Sequence, residues 1–246
     1  MIESMHLDIK IFADGADKKG MLEMYRNPLV AGFTTNPSLM RKAGINDYRA
    51  FATEMAALMP DRSISFEVFS DDFAQMKQQA LEIASWGENI FAKIPVTNTQ
   101  KQSAIPLIGE LAAAGVKQNV TAIMTLEQVA AVTDALSQGP EAYVSVFAGR
   151  IADTGRNPAP MMQAALNMLK PFPQLSLLWA STREIYNIFE ANALGCHIIT
   201  VPNDLLSKLN LVGKNLEDYS LETVKMFYQD AQTAGYSLEI SEPVTV

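Results

Sequence analysis

Phe91-Ala92-Lys93-Ile94-Pro95-Val96 is the stretch on which the fold turns: a strand-length apolar run with one lysine set inside it. Keeping an ammonium charged in hydrocarbon costs several kcal/mol, so such a lysine is neutralised, paired or used. Working outward, similar runs occupy 9–13, 30–34, 64–69, 120–124, 143–147, 175–180 and 197–201, and with 90–96 they make eight. Segments with helical periodicity lie between them, at 18–25, 47–58, 72–86, 99–114, 126–136, 160–169 and 183–193. Gly115 and Gly195 stand at the joints, where a helix end favours a left-handed residue.

Eight strands alternating with helices predict an α/β fold, a closed (β/α)8 barrel of the TIM type, over one domain, 1–246. An open doubly wound sheet is the competing arrangement, but no strand is followed by the GxGxxG loop that would announce its nucleotide site. After the eighth run comes a C-terminal helix and tail at about 216–246, one helix more than closure needs. Covering the barrel mouth or meeting a neighbouring subunit are its two expected uses.

The 246 residues are 48% apolar with a mean hydropathy of +0.05, enough for a substantial core. A formal net charge of −8 argues against a generic nucleic-acid surface and limits an anionic ligand to a small local pocket. No apolar run approaches a membrane span, the start MIESMHLDIK lacks the features of a signal peptide, and Cys196 is the only cysteine. The expectation is a cytoplasmic protein without disulfides and without membrane or nucleic-acid partners.

In a barrel the catalytic groups stand at the C-terminal strand ends, and alternate side chains point inward. The polar residues there are Asp14, Thr34-Thr35-Asn36, Glu67, Lys93, Asn119 and Thr121, Ser145 with Arg150 beyond it, and Ser181 with Arg183; the eighth run offers Asn203 and Asp204. Lys93 shares its face with Phe91 and Pro95, Glu67 with Ser65, and Ser145 with Tyr143 and Phe147. An inward lysine near inward carboxylates is the apparatus of Schiff-base chemistry, in which a neutral amine attacks a carbonyl. Burial, Arg150 and Arg183 would favour the neutral amine and Asp14 and Glu67 the charged one, a contest left open by the residues alone.

Gly32-Phe33-Thr34-Thr35-Asn36-Pro37-Ser38, Ala92-Lys93-Ile94-Pro95-Val96-Thr97, Asn119-Val120-Thr121-Ala122 and Ser145-Val146-Phe147-Ala148-Gly149-Arg150 resemble, in order and spacing, the transaldolase family, from about residue 8 to about 204. That resemblance implies a class I aldolase barrel acting on a phosphorylated or otherwise anionic sugar, with no cofactor. It further implies that Lys93 forms the imine with the ketose carbonyl and that Asp14 takes a hydroxyl proton during carbon–carbon cleavage. Glu67 and Thr121 would hold a proton-shuttling water. Thr34, Asn36, Ser145 and Phe147 would line the three-carbon donor site, and Arg150, Ser181 and Arg183 would hold the anionic end.

The family holds two chemistries on this lysine. Fructose-6-phosphate aldolases carry glutamine and tyrosine where this chain has Glu67 and Phe147, so the residues resemble the transaldolase pattern: transfer of a dihydroxyacetone unit from a ketose phosphate such as fructose 6-phosphate to an aldose such as erythrose 4-phosphate, in the pentose phosphate pathway. Free aldol cleavage, a transaldolase specialised for a sulfo- or heptose-type sugar, and a non-catalytic phosphosugar binder are the alternatives. The chain length is nearer to the small members of the family, which implies a homo-oligomer.

Blander readings apply elsewhere. Cys196, His6 and His197 lie away from the catalytic end, and no cluster has zinc-ligand spacing, so no metal is expected. Tyr143 and Trp179 read as core, Asn98-Thr99 and Asp153-Thr154-Gly155 as loop and cap residues, and Ser181 as a possible helix N-cap.

Overall fold

The computed structural model describes residues 7–238, so His6 and the last part of the tail lie outside the described residues. The chain runs β1 (Lys10–Asp14), α1 (Lys18–Tyr25), β2 (Val30–Thr34), α2 (Pro37–Lys42), α3 (Tyr48–Leu58), β3 (Ser63–Glu67), α4 (Phe73–Ala84), β4 (Ile90–Pro95) and α5 (Ile105–Ala113). It continues with β5 (Gln118–Ile123), α6 (Leu126–Leu136), β6 (Ala142–Val146), α7 (Ala148–Asp153), α8 (Ala159–Leu169), β7 (Leu175–Trp179), α9 (Tyr186–Ala193), β8 (Ile198–Pro202), α10 (Asn203–Leu206) and α11 (Leu216–Ala234). The eight strands are parallel and close in sequence order, with β1 pairing both β2 and β8. This is the (β/α)8 barrel expected from the alternation.

The barrel is a filled core. Near its N-terminal end the Phe91 and Tyr143 rings stack at 4.2 Å, and Phe12 meets Tyr143 edge-on at 5.5 Å. Gly32 makes room for that cluster, because a Cβ there would lie 2.7 Å from the Phe12 ring. Above the rings comes an uncharged polar rung: Asn119 donates to the Ser65 hydroxyl at 2.9 Å and accepts from Ser145 at 2.6 Å. Lys93, Glu67, Asp14, Thr34, Thr121 and Thr200 follow at the C-terminal mouth, one step further along the same inward faces. Trp179 and Tyr143 are buried, as a core reading requires.

Some boundaries differ from the periodicity. The helix expected at 99–114 begins at Ile105, because Thr99 bonds Asp71 through both its amide and its hydroxyl, Asn98 clips Gln102, and Thr97 pairs with Ser103 across the loop. The helix expected from 183 begins at Tyr186, since the Arg183 and Glu184 amides donate to the Asn187 side chain. Ser181 therefore caps no helix. The described residues form two compact units, the barrel through Lys208 and a second from Leu209 onward. The second is dominated by α11, capped by Asn215, which accepts from the Glu217 and Asp218 amides, and ended by Gly235 at φ 68°.

Candidate active site

Lys93 is buried at the centre of the mouth, 8% exposed, and its Nζ has two contacts. One is the Glu67 carboxylate at 3.0 Å, from the neighbouring strand, where the two residues are register partners. The other is the Thr35 carbonyl, which accepts at 3.0 Å. Adjacent parallel strands with the same inward parity bring Lys93 and Glu67 together, as the sequence pattern requires.

Asp14 faces them from β1. The Thr34 hydroxyl donates to its Oδ1 at 2.8 Å, and the Thr200 hydroxyl bonds Thr34 in turn. Burial raises the Asp14 carboxyl above the ordinary carboxylate range; the Lys93 charge and the Thr34 hydrogen bond oppose that rise and Glu67 adds to it. A carboxylate with a raised proton affinity suits a group that must accept a proton near neutral pH.

Thr121 stands on β5 beside Ala122, whose φ of 63° puts a left-handed residue in the strand. The β5–β6 register shifts between Val120 and Ile123 as a result. Thr121 Oγ1 is fully buried and has no partner among the described residues, which leaves its hydrogen-bonding capacity for a substrate or water. Asn36 is the N-cap of α2: its carboxamide oxygen accepts from the Leu39 amide at 3.0 Å, and Pro37 occupies the first helical turn. That cap fixes the side chain, and Asn36 lines the cavity.

The arginine side of the cavity is assembled by a close backbone approach. Ser181 has φ 66°, and its carbonyl turns towards Gly149, where a Cβ would fall 1.6 Å from that oxygen. Only glycine at 149 lets α7 and the loop after β7 touch. Arg150, Ser181 and Arg183 thereby line one side of the cavity, with the Arg150 guanidinium 5.7 Å from the Phe147 ring centroid. Arg183 is not a free fork: its Nε donates to Asp153 at 3.0 and 3.1 Å, and its Nη2 also bonds that carboxylate. Arg183 holds the Asp153 carboxyl below the usual range.

Every residue to which the resemblance gives a role except Glu67 lines the same cavity of about 200 Å³, and Glu67 reaches it through Lys93; Thr35, Asn203 and Asp204, also named at the strand ends, do not line it. Sequence reasoning missed three contributors. Thr200 and Thr182 were hidden as ordinary strand-end hydroxyls, and Asp153 was read as a cap although it is the partner of Arg183. Asp153 lies three residues after Arg150 on one helical turn, a spacing that could have flagged it. Cys196 is buried at the other end of β8 and its thiol is pushed up to about 12 by burial, in keeping with a small apolar core residue. Exposed His197 accepts from the Leu177 amide at 2.9 Å.

An enzyme with its polar groups at the C-terminal mouth of a parallel barrel belongs to a broad structural class. Solved barrels of that class match this chain: KGPDC from Streptococcus mutans, with a TM-score of 0.53 at 12% identity over 81% of this chain and 89% of its own, and 2,3-dimethylmalate lyase, with 0.54 at 13% over 99% and 89%. At those identities the likeness concerns fold alone. The sequence narrows the class: residues 11–239 match the family model described as Transaldolase/Fructose-6-phosphate aldolase, and the chain belongs to that family. A "Probable transaldolase" of Dehalococcoides mccartyi is 32% identical over 202 residues, 82% of this chain and 90% of its own. Another, of a Thermoanaerobacter species, is 31% identical over 231 residues, 94% of this chain and all of its own.

Proposed function

We propose that this protein is a transaldolase that moves a dihydroxyacetone unit from a ketose phosphate to an aldose through an imine on Lys93. The observation that carries the reading is the Lys93 amine, buried between the Glu67 carboxylate and the Thr35 carbonyl with Asp14 across the mouth. In its neutral form the amine adds to the donor's C2 carbonyl; loss of water, protonated through Glu67 and a water held near Thr121, gives the imine. Asp14 then takes the C4 hydroxyl proton, the C3–C4 bond breaks, and the aldose leaves while the imine holds the electron pair as an enamine. Attack of the enamine on an acceptor aldehyde, with the proton returned by Asp14, rebuilds the bond; hydrolysis frees Lys93.

Glu67 and Phe147 support transfer over free release, and Arg150, Ser181 and Arg183 support an anionic sugar. Family membership alone supports the finer expectations of a homo-oligomer working in cytoplasmic sugar-phosphate metabolism. A second reading, a transaldolase for an unusual sugar, draws on Asp153, which occupies one edge of Arg183 and offsets its charge.

A coupled assay with fructose 6-phosphate, with and without erythrose 4-phosphate, tests the proposal. Acceptor-dependent release of glyceraldehyde 3-phosphate, abolished in Lys93→Ala, is expected. Acceptor-independent release would make the protein an aldolase, and activity that survives Lys93→Ala would sink the imine mechanism.

A further inference from the structure

Tyr48 opens α3, and its phenol reaches back to the β2–β3 seam behind the active site. Its hydroxyl donates to the Glu67 main-chain carbonyl at 2.8 Å and interacts with the Thr35 side chain. Thr35 is itself pinned to β3, its amide donating to the Ser65 carbonyl at 3.1 Å and its hydroxyl to the same oxygen at 2.9 Å. The two residues meeting this phenol are the two that contact Lys93 Nζ: Thr35 through its carbonyl and Glu67 through its carboxylate.

The ring is held as firmly as the hydroxyl. Phe66 and Phe69 meet it edge-on at centroid distances of 5.9 and 5.7 Å, and Trp86 lies tilted at 5.8 Å. Burial, with the Glu67 charge nearby, pushes the phenol far above its ordinary value, so it remains a donor throughout the working pH range. None of the proposed chemical steps uses Tyr48, and the substrate cavity does not include it.

We propose that Tyr48 is a positioning residue for the reaction: its hydroxyl fixes the spacing of the Thr35 carbonyl and the Glu67 carboxylate on either side of the Lys93 amine. This rests on Lys93 being the imine-forming residue. Without the hydroxyl the Glu67 carbonyl loses a buried donor, the end of β3 is freed, and the carboxylate that handles the proton moves relative to the amine. The anionic subsite, carried by α7 and the loop after β7, stays in place.

The test pairs Tyr48→Phe with Trp86→Phe, which perturbs the same aromatic packing but touches neither Thr35 nor Glu67. Dihydroxyacetone with borohydride reports imine formation as a mass increase on Lys93, and fructose 6-phosphate reports kcat and KM separately. Trapping and kcat are expected to fall roughly 5- to 10-fold in Tyr48→Phe, the loss of about one buried hydrogen bond's worth of positioning, with KM within about twofold of wild type. Trp86→Phe is expected to trap at the wild-type rate. Wild-type trapping in Tyr48→Phe, an equal loss in Trp86→Phe, or a change confined to KM would overturn the proposal while leaving the Lys93 imine standing. A wild-type protein that forms no trapped adduct would overturn the imine reading and this proposal with it.

Discussion

Gly149→Ala probes the proposed anion subsite. A methyl at 149 would lie 1.6 Å from the Ser181 carbonyl oxygen and 2.7 Å from its carbon. Ordinary contact needs roughly 3.5 Å, so α7 and the loop after β7 must separate by about 2 Å. Ser181 cannot absorb this by small adjustment, because it already sits in the left-handed region at φ 66°. The cost in stability is expected at about 1–3 kcal/mol, as for other overpacked sites. Arg150 leaves Ser181 and Arg183 by the same 2 Å, which should raise KM for fructose 6-phosphate on the order of 10- to 100-fold. Neutral dihydroxyacetone makes no demand on that subsite, so its borohydride trapping on Lys93 should stay within about twofold of wild type. Steady-state kinetics and trapping on one preparation separate the two ends. An unchanged KM for fructose 6-phosphate would refute the claim that this approach assembles the anion site.

Three further outcomes follow from the geometry. The folded pKa of Asp14 lies above its unfolded value, chiefly through burial, so its contribution to stability is full in acid and is lost as pH rises from the unfolded value through the folded one; Asp14→Asn should abolish turnover and raise Tm by a margin that grows as pH rises above the unfolded-state value of roughly 4, and a margin flat from acid to neutral pH would contradict the burial argument. Glu67→Gln and Phe147→Tyr should each shift the product ratio several-fold towards acceptor-independent release, measured as glyceraldehyde 3-phosphate formed without erythrose 4-phosphate; two unchanged ratios would remove these positions from the partition. Cys196, with its thiol pushed up to about 12, should react with a thiol reagent at pH 8 about three orders of magnitude more slowly than a free cysteine, and at the ordinary rate after denaturation; rapid labelling of the folded protein would show the thiol to be accessible.

The strands were legible because a parallel barrel buries both faces of each strand and leaves nearly continuous apolar runs. Parity then placed Lys93 against Glu67, since neighbouring strands in register carry inward residues at the same height. Helices α2 and α7 escaped notice because six residues are too few to show a period, although Asn36-Pro37 is a cap followed by a first-turn proline. The start of α5 was misplaced because side-chain clips, not periodicity, hold 98–104 out of the helix. Tyr48 was invisible for another reason: its importance lies in a hydrogen bond to a main-chain carbonyl, which leaves no mark on the residue type it meets.

The cavity is divided along the barrel circumference. Asp14, Glu67, Lys93 and Thr121 come from β1, β3, β4 and β5, whereas Arg150, Ser181 and Arg183 follow β6 and β7 on two segments that meet at Gly149. Under the proposed mechanism, bond making and head-group recognition thus sit on separate, contiguous stretches of chain. Residues 147–155 and 181–186 form a paired cassette that could be exchanged together for those of a relative, altering which sugar is accepted while the machinery around Lys93 is inherited whole; exchanging either half alone would break the fit at Gly149 and Ser181.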